Sequence, residues 1–385
     1  MMRARELTLL LVSTLTVMAG ATIAPALPAI QEAFADTPSA PLLTRLVLSL
    51  PALFIVLGAP LIGIAIDRWG RLKPLFAVTV LYAVAGASAT VANSLLTILI
   101  GRAILGIAIA GILTTATTLI ADYYQGPERA RMLGLQGVFT ALGGMLFVVL
   151  GGVLADVSWR APFLVYLLSL PLLIPMALAL NEPRRESTAT IPMGWRGAQA
   201  FMWIYLIGWL AQTGFYLVPT QLPYHLEALV GATGTQSGMA IAITTISAAV
   251  AAALYGRLRG RIGYEWIVIV VFATMALGYG AIGIATGWPL IIVGLATAGF
   301  GLGLVIPNLN NWLTDIAPET LRGRAVGGLT TAMFLGQFTS PLVSQPLVDT
   351  QGYSFTWKAT AIVLVVATVA ALTRDLLVKK HTQGA

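Results

Sequence analysis

The chain has 385 residues, of which 58% are apolar and 10% charged, and its mean hydropathy is +0.87. Soluble domains average about half apolar and a quarter charged, so this balance identifies a polytopic membrane protein. Cysteine is absent, which excludes disulfides, thiolate metal sites and thiol catalysis, and two histidines, His225 and His381, leave little for a metal site.

A hydrocarbon core of about 30 Å is crossed by about 20 apolar residues in a helix. Twelve runs of that length, bounded by charge or by Gly and Pro, are expected near 7–31, 42–66, 73–93, 95–121, 131–154, 160–181, 199–222, 236–256, 265–286, 288–313, 325–347 and 355–377. Short alternating segments are absent, so strands are excluded as the spanning element. The first run follows "MMRARE" and contains "ATIAPALPA"; it is too long for a signal-peptide core and is read as a retained first span.

Of the 22 Lys and Arg, all but Arg45, Arg102, Arg160 and Lys358 fall in the N-terminal tail, the C-terminal end or the loops after even-numbered spans. By the positive-inside rule, both termini and every even-to-odd loop are expected in the cytoplasm, with the chain in the cytoplasmic (inner) membrane. The net charge of +7 therefore reads as topology, and nothing beyond its sign points to nucleic acid.

The chain also repeats itself. "GIAIDRWG" (Gly63–Gly70) overlies "GRLRGRIG" (Gly256–Gly263) at a shift of 193 residues, which also carries Asp122, Arg129, Arg131 and Gly134 onto Asp315, Arg322, Arg324 and Gly327, and Asp156 onto Asp349. One offset serving three loops points to two duplicated six-helix halves. The expected organisation is an N-terminal bundle over 1–181, a polar linker over 182–195 opening in "NEPRREST", and a C-terminal bundle over 196–385.

"GIAIDRWGRLKPL" resembles the loop between the second and third helices of the major facilitator superfamily: glycine, three residues, aspartate, a base, any residue, glycine, a base. The match covers Gly63, Asp67, Arg68, Gly70 and Arg71. The resemblance implies an all-α fold of twelve transmembrane helices in two pseudo-symmetric six-helix bundles, closest to the efflux group that exports drugs, sugars and siderophores. It implies that the stretch is a conformational latch, with Asp67 interacting with the start of the eleventh helix and Arg71 pairing with Asp122; Arg129 belongs to the same set. Independently, Gly63 allows close helix approach, Gly70 a tight turn, and Asp67 can cap a helix. In the fourth span "RAILG" (Arg102–Gly106) resembles an efflux motif, with Leu105 where glutamine is usual. In the fifth, "GGMLFVVLGG" keeps Gly143, Gly151 and Gly152 of an antiporter motif, while Phe147 and Val148 replace its Gly-Pro.

Transport in such a fold implies a site near the bilayer midplane, exposed to each side in turn. Gln212 and Tyr216 in the seventh span, Asn308 and Asn311 in the tenth and Gln337 in the eleventh are candidate substrate ligands, since amides and aromatics suit an amphipathic organic molecule. All fifteen Asp and Glu lie at span ends or in loops, whereas Arg102 and Arg45 lie inside spans. A membrane-embedded charge is functional by default, so a neutral or anionic substrate is expected, with Arg102 and Arg45 as substrate-binding candidates. Proton coupling is expected at Glu32, Asp36, His225 and Glu227, which topology places at the outer ends of the first and seventh spans.

The leading expectation is a secondary transporter, a monomer in the bilayer exporting a small amphipathic organic compound in exchange for protons, without a cofactor or metal. The alternatives are a proton-coupled uptake symporter or facilitator and, more remotely, a non-transporting membrane sensor. An enzyme is not expected: HExxH, GxSxG, an aspartate dyad and GxxxxGK[ST] are all missing.

Overall fold

The computed structural model describes residues 3–183 and 201–383, with backbone alone at residue 320 and residues 375–383. Most of the expected linker, residues 184–195, lies outside the described residues, as do the first residues expected for the seventh span and the side chain of His381. The described chain is helical, and two compact units are distinguished: Met1–Thr190 with Ala232–Met239, and Ile191–Gly231 with Ala240–Ala385.

In the first unit α1 (Ala4–Ala21) opens with Glu6 in its first turn, where the Arg3 N–H donates to the Glu6 carboxylate and the acid complements the positive helix end. A 3-10 turn at Ala24–Ala26, containing Pro25, separates it from α2 (Leu27–Ala33), so the first span is broken. α3 (Ala40–Trp69) carries Pro51 and Pro60 inside, and α4 (Leu72–Ala87) follows the Gly70 turn. α5 (Leu95–Tyr123) is capped by Ser94, whose hydroxyl accepts from Thr97 N at 3.2 Å. α6 (Gly126–Val157) begins with proline in its first turn, the position where a missing N–H costs nothing. The sixth span is the most irregular: α7 (Ala161–Leu164), a 3-10 stretch over Val165–Ser169 and α8 (Leu173–Ala179), interrupted near Pro171, which removes a backbone donor.

In the second unit α9 (Met202–Val230) ends at Gly231, whose φ of 63° closes the helix. α10 (Gly234–Arg259) begins in the first unit and continues into the second. α11 (Tyr264–Ile284), α12 (Trp288–Ile316) and α13 (Arg322–Gln383) complete the chain. Gly352, with φ 80° and ψ 174°, breaks α13 into two arms, which are the eleventh and twelfth expected spans. Among the described residues these helices make twelve transmembrane spans, and the fold is an all-α membrane fold of two six-helix bundles.

Small residues set the packing inside each unit, as expected where lipid supplies no hydrophobic drive between helices. A Cβ on Gly106 of α5 would lie 2.5 Å from the Pro51 carbonyl of α3, and one on Gly278 of α11 2.5 Å from the Gly294 carbonyl of α12. The helix faces turned away from these contacts are apolar and exposed, with Leu61 of α3 at 61% and Val84 of α4 at 64%. In a membrane protein that is the surface lipid covers.

Candidate functional site

Three groups of polar side chains are built into this frame. The first lies at the α3–α4 turn. Gly70 has φ 84° and ψ −173°, a conformation essentially restricted to glycine. The turn brings the first N–H groups of α4 onto Glu182: Arg71 N donates to Oε1 at 2.6 Å and Leu72 N to Oε2 at 2.9 Å. Arg71 Nε donates to Asp122 Oδ2 at 3.0 Å. Beside this pair, Tyr123 OH bonds the Asn181 carbonyl. α3, α4, α5 and the segment after α8 thus meet on one carboxylate clamp. Asp67, Arg68 and Arg129 are exposed, and a Cβ on Gly63 would meet nothing within 4 Å. Gly63 is therefore not a close-packing glycine, in contrast to the expectation.

The second group is the interior of the first unit. Arg102 is 1% exposed, and each of its side-chain nitrogens is engaged: Nε donates to the Val47 carbonyl at 2.7 Å, Nη2 to the Ala19 carbonyl at 2.7 Å and Nη1 to Tyr166 OH at 2.6 Å. Tyr166 OH in turn donates to the Ala19 carbonyl at 2.6 Å. Arg102 was expected as a counter-ion for substrate. It is instead a buried cross-link joining α5 to α1, α3 and the 3-10 stretch of the sixth span, because three groups already occupy its fork. Arg45 is likewise 1% exposed and donates to Gln31 Oε1 at 2.8 Å and the Pro41 carbonyl at 2.7 Å, so it too faces protein.

The third group is the α9–α13 seam of the second unit. Gln337 Nε2 donates to Gln212 Oε1 at 3.3 Å, and the Thr213 and Thr339 hydroxyls lie 3.3 Å apart. Further along, Gln221 Nε2 donates to Ser344 Oγ at 3.0 Å and Gln345 Oε1 at 3.2 Å, and Gln345 Nε2 donates to Asp349 Oδ1 at 2.7 Å. Gln212 is 7% exposed, while Gln337 and Tyr216 are half-buried. Asn308 and Asn311 do not join the seam. Asn308, fully buried, donates to the Tyr264 carbonyl at 3.1 Å with Oδ1 unpartnered among the described residues, and the exposed Asn311 donates to Tyr255 OH at 3.3 Å.

The residues expected to carry protons separate by burial. Glu32, Asp36 and Glu227 are exposed. His225, expected beside them in a hydrated cluster, is 3% exposed and lies among rings, 5.9 Å from Tyr353 and 6.4 Å from Trp357. It hydrogen-bonds the Ile282 backbone, and its Nε2 has no partner among the described residues.

Glu182, Tyr166, Ser344 and Gln345 were not singled out in the sequence. Asp156 stands out in the sequence only as part of the repeat, yet its carboxylate accepts from Gly234 N at 2.6 Å, Thr235 N at 3.0 Å and Thr235 Oγ1 at 2.5 Å, holding the start of α10 to the end of α6. One signal was available for Glu182: an acid closing the sixth span, which the shift of 193 carries onto Asp375.

Comparison with known proteins agrees with this architecture. The tetracycline resistance protein, class C, of Escherichia coli is 28% identical over 341 residues, covering 83% of this chain and 84% of that protein. Multidrug resistance protein MdtG of Enterobacter lignolyticus (strain SCF1) is 24% identical over 337 residues, covering 83% and 79%. A bacterial homolog of the human lysosomal transporter Spinster, solved inward-facing and occupied, superposes with a TM-score of 0.81 over 96% of both chains at 16% identity. The Major Facilitator Superfamily model matches residues 9–203 and 204–384, and the chain belongs to that superfamily of membrane transporters.

Proposed function

We propose that this transporter exports a small, uncharged amphipathic organic compound across the inner membrane in exchange for protons. The observation that carries the reading is the contrast between its two interiors. The embedded guanidinium groups of Arg102 and Arg45 are occupied by protein, whereas the α9–α13 seam offers amides and hydroxyls bonded only weakly to one another at 3.3 Å. Neutral groups that exchange partners easily favour a neutral ligand, since around Gln212 and Gln337 an ion would meet no countercharge, the seam's carboxylate Asp349 being bonded to Gln345 twelve residues beyond Gln337. Similarity to exporters named for tetracycline and multidrug resistance supports the direction.

In this reading Gln212, Gln337 and Tyr216 contact the compound, with Asn308 and Asn311 flanking it. Arg102 and Arg45 hold the first bundle together. Gly63, Asp67, Arg68, Gly70, Arg71, Asp122 and Arg129 form the latch, with Glu182 as an added member. Both termini lie in the cytoplasm, the bundles run over 1–181 and 196–385 around the linker, and the protein works as a monomer. His225 is the favoured proton carrier of its set, because it alone is buried with a ring nitrogen unpartnered among the described residues; Glu32, Asp36 and Glu227 supply the outer approach.

Inverted vesicles with an acid lumen test the proposal directly. Expected is gradient-dependent accumulation of neutral amphiphiles, absent when the gradient is collapsed. Accumulation of cations alone, or accumulation driven only by acid on the opposite face as in an uptake symporter, overturns it.

A further inference from the structure

A groove of about 310 Å³ runs between the ends of α3 and α4 nearest their connecting turn, with Ile62, Ala65 and Trp69 on one wall and Lys73, Pro74 and Ala77 on the other. All these residues belong to the first unit. Neither the latch nor the substrate seam uses the groove. It opens on the apolar, exposed face of the two helices, where Leu61, Ile64, Val80 and Val84 are 61%, 53%, 43% and 64% exposed. In this protein that face is covered by bilayer, so its occupant is lipid.

The chemistry at its mouth says which lipid. Trp69 is 65% exposed at the end of α3, the amphipathic ring that membrane proteins place at headgroup level. Lys73 is exposed in the first turn of α4 and makes no hydrogen bond or ion pair among the described residues. Its neighbours are already committed. Arg71 is paired with Asp122, and the backbone N–H groups of Arg71 and Leu72 are taken by Glu182. Pro74 has no N–H to offer. The Lys73 ammonium is thus the cation left at the mouth of an apolar slot with an interfacial tryptophan beside it. We propose that this groove binds an anionic phospholipid, one acyl chain lying between α3 and α4 and the phosphate meeting Lys73. Basic groups beside helix clefts recognise anionic headgroups through this combination of charge and apolar contact.

Quenching of Trp69 tests the site. The full-length protein is placed in nanodiscs of unlabelled phosphatidylcholine carrying a small fraction of tail-brominated phosphatidylglycerol or, in the parallel arm, tail-brominated phosphatidylcholine. The Trp69 signal is taken as the difference between wild type and Trp69→Phe. Expected is an apparent phosphatidylglycerol fraction at Trp69 about fivefold above bulk, the worth of one lysine at an anionic headgroup. It falls to the bulk value in Lys73→Gln, while the phosphatidylcholine arm stays at bulk in both wild type and Lys73→Gln. Ala77→Ile, which fills the slot without altering charge, reduces quenching by both lipids. Molar salt on the wild type removes the phosphatidylglycerol excess independently of any variant. Equal quenching by the two lipids, or an excess that survives both Lys73→Gln and salt, overturns the proposal. So does displacement by soluble glycerol phosphate, which would mark a site for free phosphate.

Discussion

The α3–α4 turn and its repeat at the α10–α11 turn solve one problem with different chemistry. In the first, Gly70 takes φ 84° and the Arg71–Asp122 ion pair is buttressed by Glu182 across the first N–H groups of α4. At the same offset in the second, Gly263 has φ −71°, Tyr264 stands for Arg71 and its hydroxyl bonds Asp315, with the Arg259 guanidinium 3.8 Å from the Tyr264 ring centre. The difference continues inward. The first unit centres on a guanidinium held by carbonyls and a tyrosine, while the second has a seam of glutamines, threonines and serine that reaches a carboxylate only at Asp349. A fixed charge ties together the helices of one unit, and bonds between neutral groups join those of the other. The positions recur at a shift of 193 residues and the interactions do not.

The largest break in this contrast is expected at Arg102. Arg102→Met strips the Val47 carbonyl of its charged donor and costs on the order of 3 kcal/mol, seen as a large fall in melting temperature in detergent. Arg102→Lys recovers little, because an ammonium cannot reproduce the fork that spans Ala19, Val47 and Tyr166. No substitution along the seam is expected to approach this loss.

The turn glycines give a sharper pairwise test. Gly70→Ala places a Cβ 2.5 Å from Glu182 Oε1 in a conformation closed to alanine, costing about 1–3 kcal/mol. Gly263→Ala has its nearest neighbour at 3.6 Å and an ordinary φ, so its melting temperature stays near wild type. Equal losses at the two positions would show the turns to be equivalent after all.

Smaller effects follow at the acids and the seam. Asp122→Asn removes a partly exposed ion pair worth about 1 kcal/mol or less, and the loss shrinks as salt is raised. Asp315→Asn keeps a hydrogen-bond acceptor for Tyr264 and changes salt dependence less. Gln212→Ala and Gln337→Ala break a bond of 3.3 Å and move stability by about 0.5 kcal/mol or less, while transport falls severalfold.

Much of the fold was legible because its signals are local. Span length, loop charge and the repeat at 193 residues depend on sequence neighbours alone. The breaks at Pro25 and near Pro171 were not, since proline marks a disturbance without stating its form. Arg102 illustrates what was hidden in the site. A buried arginine announces itself by its cost, but whether substrate or backbone carbonyls meet that cost depends on contacts across 55 and 83 residues. His225 differs from its expected setting for a related reason: its place near a helix end suggested a hydrated cluster, and it is buried beside Tyr353 and Trp357, far along the chain.

The most direct measurement is the KM for a neutral compound moved by vesicles bearing Gln212→Ala or Gln337→Ala, set beside Arg102→Lys at equal folded protein. The account predicts a KM raised severalfold in both seam variants at unchanged melting temperature, and an unchanged KM in whatever Arg102→Lys protein folds. Wild-type KM in both seam variants, together with a selective loss of substrate affinity in folded Arg102→Lys, would contradict it and return the arginine to the binding site.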